Sequence, residues 1–232
     1  MTETRRVFHE ELDALRSDVI RLGAMAGEAI EAATNALLAA DLAAVERVVE
    51  DDHLLDDLTH DMEQRTCLLL AQQQPMAADL RMLVTVLRVI HELERIGDLM
   101  TKVAKAARRL YPNEIEPKLR GLIDRMRDQA AAQLRLAIEA FADRDVARAA
   151  ALADMDDVMD ELQKELFGAI FSARTPDDST LQLAVQMALV GRFYERAGDH
   201  AANVADRVQF MVTGHFSFES PVGEASGESG PR

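Results

Sequence analysis

The amino-acid sequence predicts an all-α protein of six long helices, arranged as two tandem, similar three-helix bundles related by internal duplication. Three observations predict this fold class. The 232 residues include no Trp, 4% aromatic residues, six Pro and eleven Gly, a composition that favours helices over strands. Apolar residues recur every three or four positions, which is helical spacing. The second half of the chain then repeats the pattern of the first.

The first bundle is predicted over residues 5–111. Its first helix covers about residues 5–39, where apolar residues follow helical spacing. Asp41 is a suitable N-cap for the second helix, which continues to about Leu70. Pro75 is expected at the first position of the third helix, because its missing N–H has no intrahelical partner to lose there. The basic residues that end this helix complement its dipole.

The second bundle is predicted over residues 117–212. It follows a linker, Tyr111–Pro117, that contains two prolines and breaks the helical pattern. Its three helices are expected to begin at the end of this linker, near Asp145 and near Pro176. Pro176 is expected to have the same role as Pro75, which is predicted to open the third helix of the first bundle. Residues 213–232 are rich in Gly, Ser and Pro, and we predict a flexible tail without a chemical role.

The duplication can be followed as an ungapped register. An offset of 104 residues (145 − 41) pairs Asp41 with Asp145 and relates the second helix to the fifth. An offset of 101 residues (176 − 75) pairs Pro75 with Pro176 and relates the third helix to the sixth. One small deletion in the intervening loop accounts for the change. A register kept over two helices predicts a tandem repeat of a three-helix unit.

Composition excludes several classes of function. The net charge of −15, from 26 Lys+Arg and 41 Asp+Glu, argues against nucleic-acid binding, which needs basic residues to displace counterions. No stretch approaches the roughly 18 apolar residues of a membrane span, and the N-terminus has no signal-peptide pattern. A cytoplasmic protein is therefore predicted. The single cysteine, Cys67, forms no intramolecular disulfide or thiolate zinc cluster, and we expect it to be a buried structural thiol.

A short acidic motif occurs once in each half. Residues 94–98 read Glu-Arg-Ile-Gly-Asp, and residues 195–199 read Glu-Arg-Ala-Gly-Asp. Each copy has two carboxylates four residues apart, so on a helix they share a face. Like charges at this spacing destabilise an isolated helix by about 0.2–0.5 kcal/mol. The helix before each motif carries another acidic pair at the same spacing. These pairs are Asp52 with Asp56 and Asp156 with Asp160.

If consecutive helices pack as antiparallel hairpins, each half gathers four carboxylates, which repel one another unless a cation is present. All-oxygen ligation suits hard cations such as Mg²⁺, Ca²⁺, Mn²⁺ or iron, and bridging carboxylates allow a multinuclear centre. Gly97 and Gly198 would leave room beside the ligands. The predicted metal ligands are Asp52, Asp56, Glu94, Asp98, Asp156, Asp160, Glu195 and Asp199.

The main alternative is a set of solvated acidic faces with local ion pairs, such as Asp98 with Lys102 four residues on. Among 41 acidic residues, single pairs at this spacing are expected by accident. Recurrence of the same pairs at equivalent positions favours a metal site instead. Under the alternative of solvated acidic faces, the protein would be a plain scaffold that binds no ion.

A carboxylate-bridged di-metal enzyme on a helical bundle is a further alternative. Its signature is Glu-x-x-His on each of two helices. Residues 50–53 fit this pattern once, but Asp154 and Asp157 occupy the equivalent positions in the second half. No phosphate-binding glycine loop or nucleophile constellation occurs, so a protein without catalytic residues is predicted. Four histidines have no histidine counterpart in the other repeat and are interpreted as ordinary surface or helix residues. They are His53, His60, His91 and His200.

These motifs carry a family resemblance. The two acidic motifs, together with residues 74–81 (Gln-Pro-Met-Ala-Ala-Asp-Leu-Arg), resemble the PhoU family of phosphate-uptake regulators over about residues 5–212. The resemblance implies two similar three-helix bundles and metal sites at the repeated acidic motif. It implies iron, zinc, manganese or magnesium as divalent or trivalent ions, in centres that can be multinuclear. One departure is Lys102 where the second repeat has Asn203, and its charge could weaken metal binding in the first bundle.

The resemblance also implies a biological role. Members of the family are cytoplasmic, non-enzymatic homodimers that restrain phosphate uptake and the phosphate-starvation response. They act with the phosphate ABC transporter, through its ATPase subunit, and with a membrane sensor histidine kinase. The resemblance therefore predicts a negative regulator of phosphate homeostasis that meets the membrane only through its partners.

Overall fold

The structure, a computed structural model, describes residues 3–172 and 178–215, and every regular element in this part of the chain is a helix. The helices are α1 (Glu3–Ala39), α2 (Leu42–Gln73), α3 (Ala77–Leu110), α4 (Pro117–Asp143), α5 (Val146–Ala150), α6 (Leu152–Phe171) and α7 (Asp178–Thr213). The predicted all-α fold class is confirmed. The role predicted for Pro176 and most of the predicted tail lie outside the described residues.

An aspartate is the N-cap of the second helix in each repeat, α2 in the first and α5 in the second. The carboxylate of Asp41 accepts a hydrogen bond from the Ala44 N–H at 3.0 Å, and that of Asp145 accepts one from the Arg148 N–H at 3.0 Å. Both predicted N-caps are confirmed. The fifth predicted helix occurs as two segments, α5 and α6. Ala151 separates them but keeps a right-handed backbone (φ −67°, ψ −14°), so the interruption is a single residue.

The start of α3 differs from the prediction, because Pro75 is not the first helical residue. Gln74 ends α2 in the left-handed conformation (φ 46°, ψ 56°), and Met76 is the extended N-cap of α3 (φ −123°, ψ 154°). The chain must reverse before a second antiparallel helix can begin. Pro75 lies within this reversal, where a fixed φ and the lack of an N–H are equally tolerated.

The two repeats share one hydrophobic core. Helices α1, α3, α4 and α7 pack around its centre, α2 covers α1 and α3, and α6 covers α4 and α7. The buried apolar side chains form one continuous cluster across both halves. The 104-residue offset also extends into the first helices, where it pairs Leu22 with Met126 and Ile30 with Leu134, all of them buried. The same register therefore relates α1 to α4.

Within the described part of the chain, none of the helices has both the length and the apolarity to cross a membrane. The prediction for Cys67 is wrong, because this thiol is exposed. The buried stripe of α2 passes through Met62, Thr66 and Leu69 at helical spacing, and Cys67 falls beside the stripe. An apolar run on a long outer helix does not by itself place every member inside.

A buried hydrogen bond joins α1 to α7 beside the second acidic motif. The fully buried Tyr194 hydroxyl lies 2.6 Å from Thr34 Oγ1, and the Thr34 hydroxyl lies 2.6 Å from the Ile30 carbonyl oxygen. Thr34 has one hydroxyl proton, which it donates to Ile30, so Tyr194 donates to Thr34. Burial raises the pKa of Tyr194 well above its ordinary value, which keeps this proton in place.

We expect Tyr194→Phe to lower the free energy of unfolding by about 1 kcal/mol, the net value of one hydrogen bond, because Thr34 keeps its own acceptor. Thr34→Val should cost more, about 1–3 kcal/mol, because it leaves the buried Tyr194 hydroxyl without an acceptor. Urea denaturation of both variants and of the double variant measures the order. A larger loss in Tyr194→Phe than in Thr34→Val would contradict the assigned donor.

Candidate metal centre

The α2–α3 hairpin brings together the four carboxylates of the first cluster, which we define as Asp52, Asp56, Glu94 and Asp98. Burial raises the pKa of Asp56, and the negative charges of the other three carboxylates raise it further. Asp52 and Asp56 lie on α2, whereas Glu94 and Asp98 lie on α3. The two self-repelling pairs therefore face each other across the hairpin, as the sequence predicts.

The backbone of α3 approaches the first cluster closely at Gly97. A Cβ atom on Gly97 would lie 2.9 Å from Asp52 Oδ1 and 3.0 Å from Leu55 Cδ1. Burial raises the pKa of Asp52, the Thr101 hydroxyl lowers it by hydrogen bonding to the carboxylate, and the charge of Asp98 raises it. The glycine thus provides the predicted clearance beside Asp52.

Basic side chains also surround the first cluster. Arg95 Nη1 and Lys102 Nζ lie 3.9 Å and 4.0 Å from Asp98 Oδ2. His91 Nδ1 lies 3.0 Å from Glu94 Oε2. These partners are largely exposed, so each stabilises the folded state only weakly. They are the local ion pairs that a solvated acidic face would also show.

The α6–α7 hairpin brings together the second cluster, which we define as Asp156, Asp160, Glu195 and Asp199. Burial raises the pKa of Asp156, and the charges of Asp199 and Asp160 raise it further. Burial and the charge of Asp199 also raise the pKa of Glu195, which is only 9% exposed. Arg192 pairs with Glu195 Oε1, but Oε2 is buried and has no hydrogen-bond partner. The second cluster is therefore the more desolvated at its α7 side.

A residue that the sequence reasoning missed lies beside the second cluster. Gln133 of α4 is fully buried, and neither its Oε1 nor its Nε2 has a hydrogen-bond partner of normal geometry. A Cβ on Gly198 would lie 2.8 Å from Gln133 Oε1, so this glycine gives room to an amide rather than to a carboxylate. The amide is near enough to Asp156 to moderate the rise in its pKa. A signal existed, because Gln133 interrupts the buried apolar stripe of α4.

The two clusters receive their neutral polar groups from different helices. Under the 104-residue offset Gln133 corresponds to Ala29, and under the 101-residue offset Thr101 corresponds to Ala202. Thr101 is 6% exposed and its hydroxyl is buried beside Asp52. Each cluster therefore has one buried neutral oxygen-bearing side chain, a hydroxyl in the first and an amide in the second.

The donors in both clusters are oxygens, which suits a hard cation such as Mg²⁺ or Mn²⁺. Within residues 3–172 and 178–215, no three His, Cys, Asp or Glu side chains are arranged, as placed, to hold a metal ion. Carboxylates that repel one another stay apart without a cation, and a bound ion would draw them in. The eight-residue ligand set stays a prediction, and the facing pairs are what supports it.

One of the four histidines, predicted to be ordinary surface or helix residues, is a helix residue with a mostly buried partner. His200 is mostly buried, and its Nδ1 lies 2.7 Å from Glu92 Oε2 across the α3–α7 contact. Asn203 Nδ2 donates to the same oxygen at 3.1 Å. Burial alone would raise the pKa of Glu92, but these hydrogen bonds lower it. A single-sequence repeat comparison could not show that α3 and α7 face each other, and so missed this pair.

Because the carboxylates of the second cluster repel one another, Asp156→Asn should change the melting temperature in opposite directions without and with metal. The pKa of Asp156 is raised in the folded state, so its ionisation opposes folding as the pH rises through that value. Asp156→Asn should therefore raise the melting temperature of the chelator-treated protein at pH 7, by about 2–4 °C per kcal/mol. The gain should shrink as the pH falls through the raised pKa and be lost below the unfolded value of about 3.9, where the carboxyl is protonated in both states. Differential scanning calorimetry measures both values.

The same Asp156→Asn variant should melt below the wild type when Mn²⁺ is present, because a ligand has been lost. Asp154→Asn, an exposed acidic residue on the same helix, is the matched control and should show neither effect. A lower melting temperature of Asp156→Asn without metal would mean that this carboxylate is stabilised by protein partners rather than repelled.

Both halves of the chain are similar to one known domain family. The model of the PhoU domain matches twice, at residues 19–107 and 123–208. The chain is 36% identical over 219 residues to the "phosphate-specific transport system accessory protein PhoU homolog 1" of Mycobacterium tuberculosis, covering 94% of this chain and 98% of the relative. It is 29% identical over 212 residues to a homologue of the same description from Clostridium acetobutylicum, covering 91% and 96%.

Two solved structures share the fold. The crystal structure of PhoU from Pseudomonas aeruginosa is similar with a TM-score of 0.84 and 28% identity, over 90% of this chain and all (100%) of that chain. The phosphate transport system regulatory protein PhoU from Streptococcus pneumoniae is similar with a TM-score of 0.82 and 26% identity, over 90% and 98%. The double match to one domain model agrees with the tandem repeat predicted from the sequence.

Proposed function

Because this chain belongs to the PhoU family, we propose that it is a metal-binding, cytoplasmic, non-enzymatic regulator of phosphate uptake. The names of its relatives support the coarser role, since they are described as accessory or regulatory proteins of phosphate transport. The match covers both repeats and nearly the full length of the relatives, so the role applies to the chain as a whole.

The finer role is that of a negative regulator of the phosphate-starvation response. In this role the chain forms a homodimer and contacts the ATPase subunit of the phosphate ABC transporter and a sensor histidine kinase. The family resemblance supports these partners. The observation that carries the metal-binding part is the facing of the two acidic pairs in each hairpin, which costs free energy unless a cation offsets it.

The chain's own residues indicate what a bound cation would do. Each cluster joins two antiparallel helices, α2 to α3 and α6 to α7, so an ion held by both would fix the hairpin. It would also neutralise carboxylates on a chain whose net charge is −15. When the negative charge of the clusters is neutralised, the hairpins repel the acidic surfaces of a partner less. Metal occupancy thereby couples hairpin rigidity to partner binding.

The test is a binding assay with the purified ATPase subunit of the organism's phosphate transporter, at high phosphate and with Mn²⁺ present. Wild type and an Asp98→Ala/Asp199→Ala variant are compared, because each change removes one α3 or α7 carboxylate of a cluster. We expect the wild type to retain the subunit and the variant to bind it at least about tenfold more weakly, a difference of about 1.4 kcal/mol. Equal retention would separate the clusters from partner binding, and no retention by wild type would refute the proposed partner.

A further inference from the structure

We propose that Gln133 supplies a neutral amide-oxygen ligand to the cation of the second cluster, whereas the first cluster has Ala29 at the equivalent position and only the Thr101 hydroxyl beside Asp52. This inference rests on the proposed metal binding and adds a residue to it from α4, a helix outside the hairpin that carries the four carboxylates. An amide oxygen is an ordinary ligand for hard cations, which take side-chain carbonyl groups together with carboxylates.

The burial of Gln133 is the first observation. The side chain is fully buried, its amide lowers the raised pKa of Asp156 by hydrogen bonding to that carboxylate, and its Oε1 has no hydrogen-bond partner within the described residues. Buried polar groups in folded proteins are almost always paired, and an amide oxygen left unpaired opposes folding. Every other buried side chain of α4 is apolar, so an apolar residue would fit the core better at this position. A ligand is what would satisfy the amide.

The direction of the amide is the second observation. Gln133 Oε1 lies against the α7 backbone at Gly198, where a Cβ would be only 2.8 Å away. The same helix carries Glu195 one turn earlier, with its Oε2 buried and without a partner. Asp156 of α6 interacts with the amide from the other side. The second cluster therefore has an unpartnered amide oxygen from α4, an unpartnered carboxylate oxygen from α7 and the desolvated carboxylate of Asp156 from α6.

The chemistry of the amide fits this position. Its oxygen can bind the ion while its N–H groups donate to a carboxylate such as Asp156, which orients both groups. An amide adds a donor without adding a fifth negative charge to the cluster. The second cluster also has no counterpart of Lys102, which lies 4.0 Å from Asp98 in the first cluster, because Asn203 occupies that position.

The first cluster differs at the corresponding position. Ala29 replaces Gln133 there, and a cavity of about 460 Å³ opens between α1 and α2. Asp52, Met25 and Ala29 are among its lining residues. An ion at the first cluster would complete its coordination with water from this cavity. Together with Lys102, this difference predicts that the second cluster binds a hard cation more tightly than the first.

The experiment uses the full chain and Mn²⁺ alone as the probe. An Asp52→Asn/Asp98→Asn background removes the first cluster, so isothermal titration and electron paramagnetic resonance report the second. In this background we expect Gln133→Leu to raise the Mn²⁺ dissociation constant at least tenfold. The melting temperature without metal should stay equal or rise, because an amide whose oxygen is unpaired has been replaced by an apolar group of similar size. Gln133→Glu should bind Mn²⁺ at least as tightly as the background.

Gln129→Leu is the matched control. This glutamine lies one turn earlier on α4 and donates to the Met155 carbonyl at 2.7 Å. Its loss should lower the melting temperature without changing Mn²⁺ affinity. Gly198→Ala gives a second test that keeps the amide, since the new Cβ would displace it from the position beside α7. We expect weaker Mn²⁺ binding in that variant too.

The outcomes separate this inference from the proposed function. If the background binds Mn²⁺ and both Gln133→Leu and Gly198→Ala bind it equally well, Gln133 is not a ligand, while metal binding by the carboxylates stands. If Gln133→Leu loses melting temperature without metal and keeps its affinity, the amide has a structural role only. If the background binds no Mn²⁺ although wild-type protein does, the second cluster holds no ion, and this inference fails with that site.

Discussion

The Asp98→Asn/Asp199→Asn double variant should lose nearly all metal binding, with dissociation constants for Mn²⁺ at least about 100-fold higher than in the wild type. Changing a residue that only supports a ligand typically costs 10–100-fold in affinity, so the loss of a direct ligand in each cluster should cost more. The amide keeps the size of the side chain and removes its charge. It also removes part of the repulsion that, together with burial, raises the pKa of Asp156 and Asp56.

Single variants assign the loss to a cluster. Asp98→Asn should lose metal from the first cluster and keep it in the second. Asp199→Asn should lose metal from the second cluster and keep it in the first. Elemental analysis of the protein after gel filtration in metal-containing buffer measures both. Asp57→Asn and Asp154→Asn change exposed acidic residues on α2 and α6 outside the clusters, and they should bind as the wild type does. Equal metal content in the double variant and the wild type would show that neither aspartate is a ligand.

The second large effect is expected at the polar pair between α3 and α7. Glu92→Ala should lower the free energy of unfolding by about 3 kcal/mol, because it leaves His200 and Asn203 without their acceptor in a mostly buried contact. Glu92→Gln keeps an acceptor oxygen and should cost less. Chemical denaturation with urea, combined with a Glu92→Ala/His200→Ala double-mutant cycle, measures the coupling.

The pH dependence of this effect has a defined sign. The pKa of Glu92 is lowered in the folded state, so its carboxylate stabilises the fold above the unfolded value of about 4.3. That contribution is lost as the pH falls through the lowered pKa. The difference between wild type and Glu92→Gln should therefore shrink in acid. A difference that is constant between pH 7 and pH 3 would mean that the charge of Glu92 does not stabilise the α3–α7 contact.

Local sequence patterns predicted the features that depend on one helix or one hairpin. Asp41 and Asp145 were identifiable as caps because a carboxylate satisfies N–H groups within its own first turn. The facing of Asp52 with Asp98 followed from four-residue spacing on two consecutive antiparallel helices. Pro75 was misplaced because two adjacent loop positions tolerate a proline equally well.

Features that depend on contacts between the repeats could not be predicted. His200 meets Glu92 only because α7 packs against α3, and nothing in the spacing of either helix specifies that contact. Gln133 is a different case, because its contacts lie within the second repeat and its interruption of the buried stripe of α4 was a readable signal, but α4 does not belong to the hairpin that carries the acidic pairs. Cys67 failed for another reason, since α2 is an outer helix with one buried face.

The central claim, that the facing carboxylate pairs are cation sites, is tested most directly by titrating chelator-treated wild-type protein with Mn²⁺. We expect at least one ion per cluster by isothermal titration. At a free concentration 100 times the dissociation constant, each site should add about 2.7 kcal/mol of stability, seen as a rise of several degrees in melting temperature. No heat of binding, no retained ion and an unchanged melting temperature would contradict the claim, and the clusters would then be solvated acidic faces.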